Sequence, residues 1–239
     1  FIGTGGVYFM TTAGFFIAVT TMLRLPPGNP SPRENQVSPL ADMADGLRYV
    51  ARRPSILLLI LTSFAVIMVG FPYQSFLPSV AKDVYGVGSG GLGLLQSAGA
   101  VGAVVATLFV ATYAGSKKAW LAQPLLAFLF GLSLIGLGMA PSFPLGLLAM
   151  LAVGALASGF QGMNNSLTMS STDSAYHGRV QSISMLSWSM FGLAALPIGI
   201  VADHIGIQET LAMLGGIVMV LVALLQVFGR SSAVLEDRR

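Results

Sequence analysis

Six long stretches of this chain contain no Asp, Glu, Lys or Arg: residues 1–23, 54–81, 84–116, 119–172, 180–202 and 210–229. A bilayer's hydrocarbon core is about 30 Å thick and a helix rises about 1.5 Å per residue, so about 20 apolar residues cross it. Each stretch is long enough for one crossing, and 119–172 is long enough for two. Pro141-Ser142-Phe143-Pro144 divides that longest stretch, because its prolines remove backbone donors and favour a turn. The sequence therefore predicts an all-α integral membrane protein with about seven transmembrane helices, at residues 1–22, 55–78, 89–112, 121–140, 144–168, 180–201 and 208–228.

Composition supports the same solvent. The chain is 54% hydrophobic and 9% charged, against about 25% charged in ordinary soluble domains. With no cysteine and two histidines it offers neither a disulfide framework nor a thiolate or histidine-cluster metal site. No His, Asp or Glu lies mid-span to act as a base or to activate a nucleophile, so catalytic residues are not expected and an enzyme is the least favoured class. The same distribution removes the usual signature of an intramembrane proton relay. No cofactor is implied, and any coupling carboxylate for protons would have to lie outside this chain.

The basic residues sort by side. If the spans alternate in direction, Arg24, Arg33, Arg48, Arg52, Arg53, Lys117, Lys118, Arg179, Arg230, Arg238 and Arg239 fall on one face of the membrane and Lys82 alone on the other. Positive charge is retained on the cytoplasmic side, which puts the C-terminus in the cytoplasm and explains the net charge of +3 without a nucleic-acid partner. The chain opens inside an apolar span with neither an initiator Met nor a basic leader, so the expectation is a truncated start rather than a signal peptide.

Four regions follow from this: 1–22 as the last helix of an earlier, truncated bundle; 23–54 as a cytoplasmic linker; 55–228 as a six-helix bundle; and 229–239 as a cytoplasmic tail. The linker begins Pro-rich and ends in a short helix. Ser38 can cap it, Pro39 fits its first position, Asp42 and Arg52 with Arg53 suit the two ends of the dipole, and Leu40, Met43, Leu47 and Val50 recur at helical spacing.

Polar side chains inside the spans are the candidate site. In the fifth span Ser158, Gln161 and Asn165 fall within about 60° of one another on a helical wheel, while Asn164 points elsewhere. An unpartnered amide in hydrocarbon costs several kcal/mol, so these groups face a cavity or bond to another helix. In the second span Thr62, Ser63, Tyr73 and Gln74 flank Phe71-Pro72, where the proline should bend the helix and free a carbonyl. Such a bend either lines a site or is structural. In the sixth, Ser184, Ser187, Trp188 and Phe191 share a face that would make an aromatic wall. The glycines of the third span, Gly99 and Gly102 among them, predict close helix packing.

Two motifs carry a family resemblance. Pro197-Ile198-Gly199-Ile200-Val201-Ala202-Asp203-His204-Ile205-Gly206 resembles the G-x-x-x-D-R-x-G element of major facilitator transporters. Asp173-Ser174-Ala175-Tyr176-His177-Gly178-Arg179-Val180-Gln181-Ser182-Ile183 resembles the run opening helix eleven in their enterobactin-exporter-like branch. The resemblance implies that the spans are helices six to twelve of that fold, the C-terminal half. It also implies that Asp173, Gly178 and Arg179 serve a loop role, and that Gly199, Asp203 and Gly206 serve an outer-end packing and gating role. His177 and His204 depart from the pattern, as does Gly115-Ser116-Lys117-Lys118. What it implies in function is a secondary transporter in the bacterial inner membrane that exports a siderophore or drug-like small molecule by alternating access. Its partners would be the bilayer, a second six-helix half and the cargo. The competing expectation is a seven-helix receptor.

Overall fold

A computed structural model describes residues 4–24 and 39–236, all helical or in short turns, with no strand among them. The Pro-rich linker, the Ser38 cap, Arg33, Arg238 and Arg239 lie outside the described residues. The chain divides after Ser38 into two units.

The first unit holds α1 (Thr4–Leu23). Its hydroxyls bond within the helix: Thr12 donates to the Tyr8 carbonyl at 2.8 Å and Thr21 to that of Ile17 at 2.8 Å. Hydroxyls satisfied one turn back are what a helix needs where water is absent.

The second unit opens with α2 (Pro39–Ala51), followed by α3 (Pro54–Ala65), α4 (Tyr73–Ser79), α5 (Ser89–Tyr113), α6 (Ala119–Gly138), α7 (Phe143–Ser171), α8 (His177–Ile205) and α9 (Ile207–Glu236). With α3 and α4 running as one segment, Pro54–Val84, six helices among the described residues are long and apolar enough to cross a membrane. In α1 the apolar part is Tyr8–Leu23. The fold is thus an all-helical integral membrane bundle.

The second span runs further than the sequence predicts, to Val84 rather than residue 78. Two of its turns are widened: Val66–Gly70 and Val80–Val84 are π-helical, with the Phe71 amide bonding the Val66 carbonyl and that of Tyr85 the Val80 carbonyl. A proline cannot donate to the carbonyl four residues back and crowds it. The widened turn at Val66–Gly70 ends just before Pro72, where five-residue spacing relieves that crowding and lets the helix continue; the one at Val80–Val84 follows Pro78. Helix α9 also outlasts its expected end and stays helical to Glu236, into the segment expected as a tail.

The core forms where α3 to α7 and α9 meet, around Val66, Ile67, Leu95, Phe130, Leu134 and Phe160, each fully buried. Helix pairs α5 with α7 and α6 with α9 pack backbone to backbone. A Cβ on Gly102 would strike the Leu151 carbonyl, and one on Gly154 the Gly99 carbonyl. Gly206 ends α8 at φ +97°, a conformation L residues rarely adopt, and α9 starts at the next residue.

The apolar stripe of helix α2 is only partly buried. Val50 is buried in a cluster with Ile56, Ile60, Val180 and Ile183, but Met43 and Leu47 are 48% and 49% exposed. The docked face is set by Gly46, where a Cβ would lie 3.0 Å from that of Arg179, and by the acidic residues beside it.

Candidate substrate cavity

Just past the interruption at Phe71-Pro72, Tyr73 and Gln74 of α4 join residues of α5, α7 and α8 in lining a cavity of about 430 Å³. Ser158 and Gln161 line it from α7, Trp188 from α8 and Gln96 from α5. Trp188 is 43% exposed and meets Phe71 edge-on at 5.0 Å, extending an aromatic wall that continues through Phe71 to Phe130 at 5.7 Å. A second opening of about 70 Å³ adjoins it, sharing Gln161 and Trp188 and adding Ser63, Asn165, Gln181 and Ser184.

Among the described residues no charged side chain lines either opening. What they offer is amides, hydroxyls and ring faces. The Oε1 of Gln161 is buried with no hydrogen-bond partner. A buried carbonyl oxygen left unmatched costs about 1–3 kcal/mol, so this atom is poised to accept a bond from a ligand or water.

The nine side chains expected to line a cavity separate into three groups. Tyr73, Gln74, Ser158, Gln161 and Trp188 surround the larger opening, and Ser63 and Asn165 join Gln161 and Trp188 at the smaller one. Thr62 and Ser187 line neither. Both are fully buried, with the Thr62 hydroxyl donating to the Leu58 carbonyl at 2.7 Å and that of Ser187 to the Ser184 carbonyl. Asn164 turns to α6, where the Gln123 amide donates to its Oδ1 at 3.0 Å. Gln96 was not anticipated from the sequence. Its signal was present: Gln96, Gly99, Ala100 and Ala103 stand at i, i+3, i+4 and i+7, the one amide on the smooth face.

The loop-motif residues occupy the basic end. Arg179 reaches α2 with both arms, to Asp45 at 2.7 Å and Asp42 at 2.9 Å, and its guanidinium lies over the Tyr176 ring at 5.1 Å. Asp173 accepts from Arg53 at 2.7 Å and its backbone amide donates to the Tyr49 hydroxyl at 3.0 Å. Tyr49 and Tyr176 stack with centroids 4.0 Å apart. Gly178 is exposed with open space around it. At the opposite end Gly206 makes the turn into α9, Gly199 has no neighbour within reach of a Cβ, and Asp203 is exposed.

Comparison with known proteins places this geometry. The chain is 27% identical over 158 residues to the staphyloferrin A transporter of Staphylococcus aureus, which covers 65% of this chain and 39% of that protein. The crystal structure of the E. coli fucose:proton symporter superposes with a TM-score of 0.65 at 13% identity, covering 90% of this chain and 54% of the symporter. The chain thus spans well under two thirds of either. The family model described as Major Facilitator Superfamily matches residues 1–195. A match over most of the chain, joined to six apolar helices among the described residues, four of which line an uncharged cavity bearing amides and hydroxyls, makes this multi-pass membrane protein a member of the Major Facilitator Superfamily, a family of transporters rather than enzymes.

Proposed function

We propose that the bundle works as one half of a secondary transporter and that its larger cavity holds the cargo, a small molecule of the siderophore or drug-like class moved outward by alternating access. The observation that carries this reading is the unpartnered Gln161 oxygen at the junction of the two openings. Amides from Gln74 and Gln96, the Ser158 hydroxyl and the Trp188 ring converge on the same volume. Such a set recognises a polar, ring-bearing or carbonyl-rich molecule by hydrogen bonds and stacking, without needing a fixed charge on it. The name of the S. aureus relative is in keeping with a siderophore as cargo. The loop motif at Asp173, Gly178 and Arg179 and its resemblance to exporters support outward movement. By the positive-inside rule, the end bearing Arg52, Arg53, Lys117 and Lys118 faces the cytoplasm of a bacterial inner membrane.

Transport assays on cells expressing the whole protein test this. Gln161→Leu is expected to reduce efflux of a siderophore or dye at least about fivefold, the worth of one hydrogen bond to the cargo, at unchanged expression. Thr62→Val, which removes a hydroxyl bonded only to its own helix, should leave efflux near wild type. Equal efflux in both variants for every compound tried would remove the cavity assignment.

A further inference from the structure

At the basic end of the bundle, on its outside, three openings run into one another. One of about 250 Å³ has Ser55, Lys117, Trp120 and Gln226 on its wall. A second, of about 390 Å³, has Arg52, Ser55, Trp120 and Ser171. The third, of about 200 Å³, is apolar and walled by Leu57, Leu58, Leu61 and Leu225. Pro54 belongs to all three, and Leu58 and Gly229 join the first to the third. They amount to one groove between α3 and α9 with a basic, hydroxyl-bearing mouth and a greasy continuation. From Pro54 to Leu61 the groove follows α3 for about 10 Å, at 1.5 Å per residue. Its floor is tight, for a Cβ on Gly229 would lie 2.7 Å from Leu58.

The cations at the mouth are differently employed. Arg53 is held by Asp173. Arg52 and Lys117 form no ion pair among the described residues; Lys117 lines the first opening and Arg52, with Arg53, the second, and Pro54, Ser55 and Trp120 are common to the two. Trp120, on the wall of both openings, is 41% exposed, an amphipathic ring suited to the headgroup level of a bilayer. Basic pockets between transmembrane helices on the cytoplasmic side are matched in charge to anionic headgroups.

We propose that this groove binds one anionic phospholipid, its phosphate between Arg52 and Lys117 and an acyl chain along Leu58, Leu61 and Leu225. A free phosphate would use the mouth alone, and the apolar continuation is what selects a lipid. The site stands apart from the cargo cavity, sharing no lining residue with it.

Native mass spectrometry of the purified full chain tests this, in micelles with equimolar phosphatidylglycerol and phosphatidylcholine of identical acyl chains. Wild type is expected to retain one phosphatidylglycerol over phosphatidylcholine by about fivefold, the preference of roughly one effective cation at a membrane surface. The double variant Arg52→Gln/Lys117→Gln should bring that ratio to about one, and Lys82→Gln, at the other end, should leave it unchanged. Excess inorganic phosphate should not displace the lipid. Equal retention of the two lipids by wild type, displacement by phosphate, or an equal loss in Lys82→Gln would each overturn the proposal. Should the double variant fail to fold, the wild-type lipid ratio and the phosphate competition decide it.

Discussion

Asn164 and Asn165 are neighbours with different work, and the helix period is the reason. One hundred degrees of rotation separate them, so although both reach the wall of the smaller cavity, Asn164 is buried with its Oδ1 bonded to Gln123 while Asn165 is exposed. Removing one partner of a buried amide pair strands the other. Asn164→Leu is therefore expected to lower stability by about 1–2 kcal/mol, and adding Gln123→Leu should recover part of that loss because no amide is then left unmatched. Unfolding in mixed detergent, read by circular dichroism, measures both. Asn165→Leu should leave stability near wild type and act on transport instead. Gly154 is constrained by space: any Cβ there meets the Gly99 backbone, which cannot yield as a side chain tip would. Gly154→Leu should force α5 from α7 and cost about 3 kcal/mol or more, seen as loss of folded protein on size-exclusion chromatography.

Among the elements, α2 shows most clearly how sequence and structure part. Its existence and its ends could be read from Asp42, Arg52 and the apolar spacing, but which face docks could not. The docked side is chosen by Arg179, 134 and 137 residues away from its two carboxylates, and by the Tyr49 and Tyr176 stack. These are long-range partnerships that no local period encodes. Part-buried pairs of this kind are worth about 0.5–1 kcal/mol each. Arg179→Gln is accordingly expected to speed hydrogen exchange of the α2 amides about tenfold while those of α6 stay protected. Arg179→Lys should not restore protection, since one ammonium cannot reach two carboxylates as a fork does. No change in α2 exchange would mean that Val50 and its apolar neighbours hold the helix alone. The second span gives the complementary lesson. Pro72 marks an interruption of the helical hydrogen bonding, but the helix runs on to Val84 through two π-helical turns that the apolar pattern of the sequence does not encode.

At the scale of the whole molecule, the charge-free stretches were enough to read an all-helical membrane bundle, because exclusion of charge from hydrocarbon is a strong constraint that each stretch obeys by itself. The cavity was only partly legible. Helical period could say that Ser158, Gln161 and Asn165 share a face, yet it could not say what stood opposite. It missed Gln96 on a helix dominated by glycine and grouped Thr62 and Ser187 with the cavity residues, although their hydroxyls are satisfied by their own backbone. Sidedness follows from charge: with Ser116→Cys in this cysteine-free chain, an impermeant maleimide should label the turn before Lys117 from the cytoplasmic face only.

The central claim is that a water-reachable polar cavity lies within an apolar bundle. Ser158→Cys and Leu148→Cys place single thiols on the same helix, one lining the cavity and the other on its outward apolar face. Only a thiolate reacts, and hydrocarbon suppresses its formation. A small charged thiosulfonate supplied to both sides of the membrane should modify the first within minutes and leave the second largely untouched, whereas reaction at 148 without reaction at 158 would contradict the account.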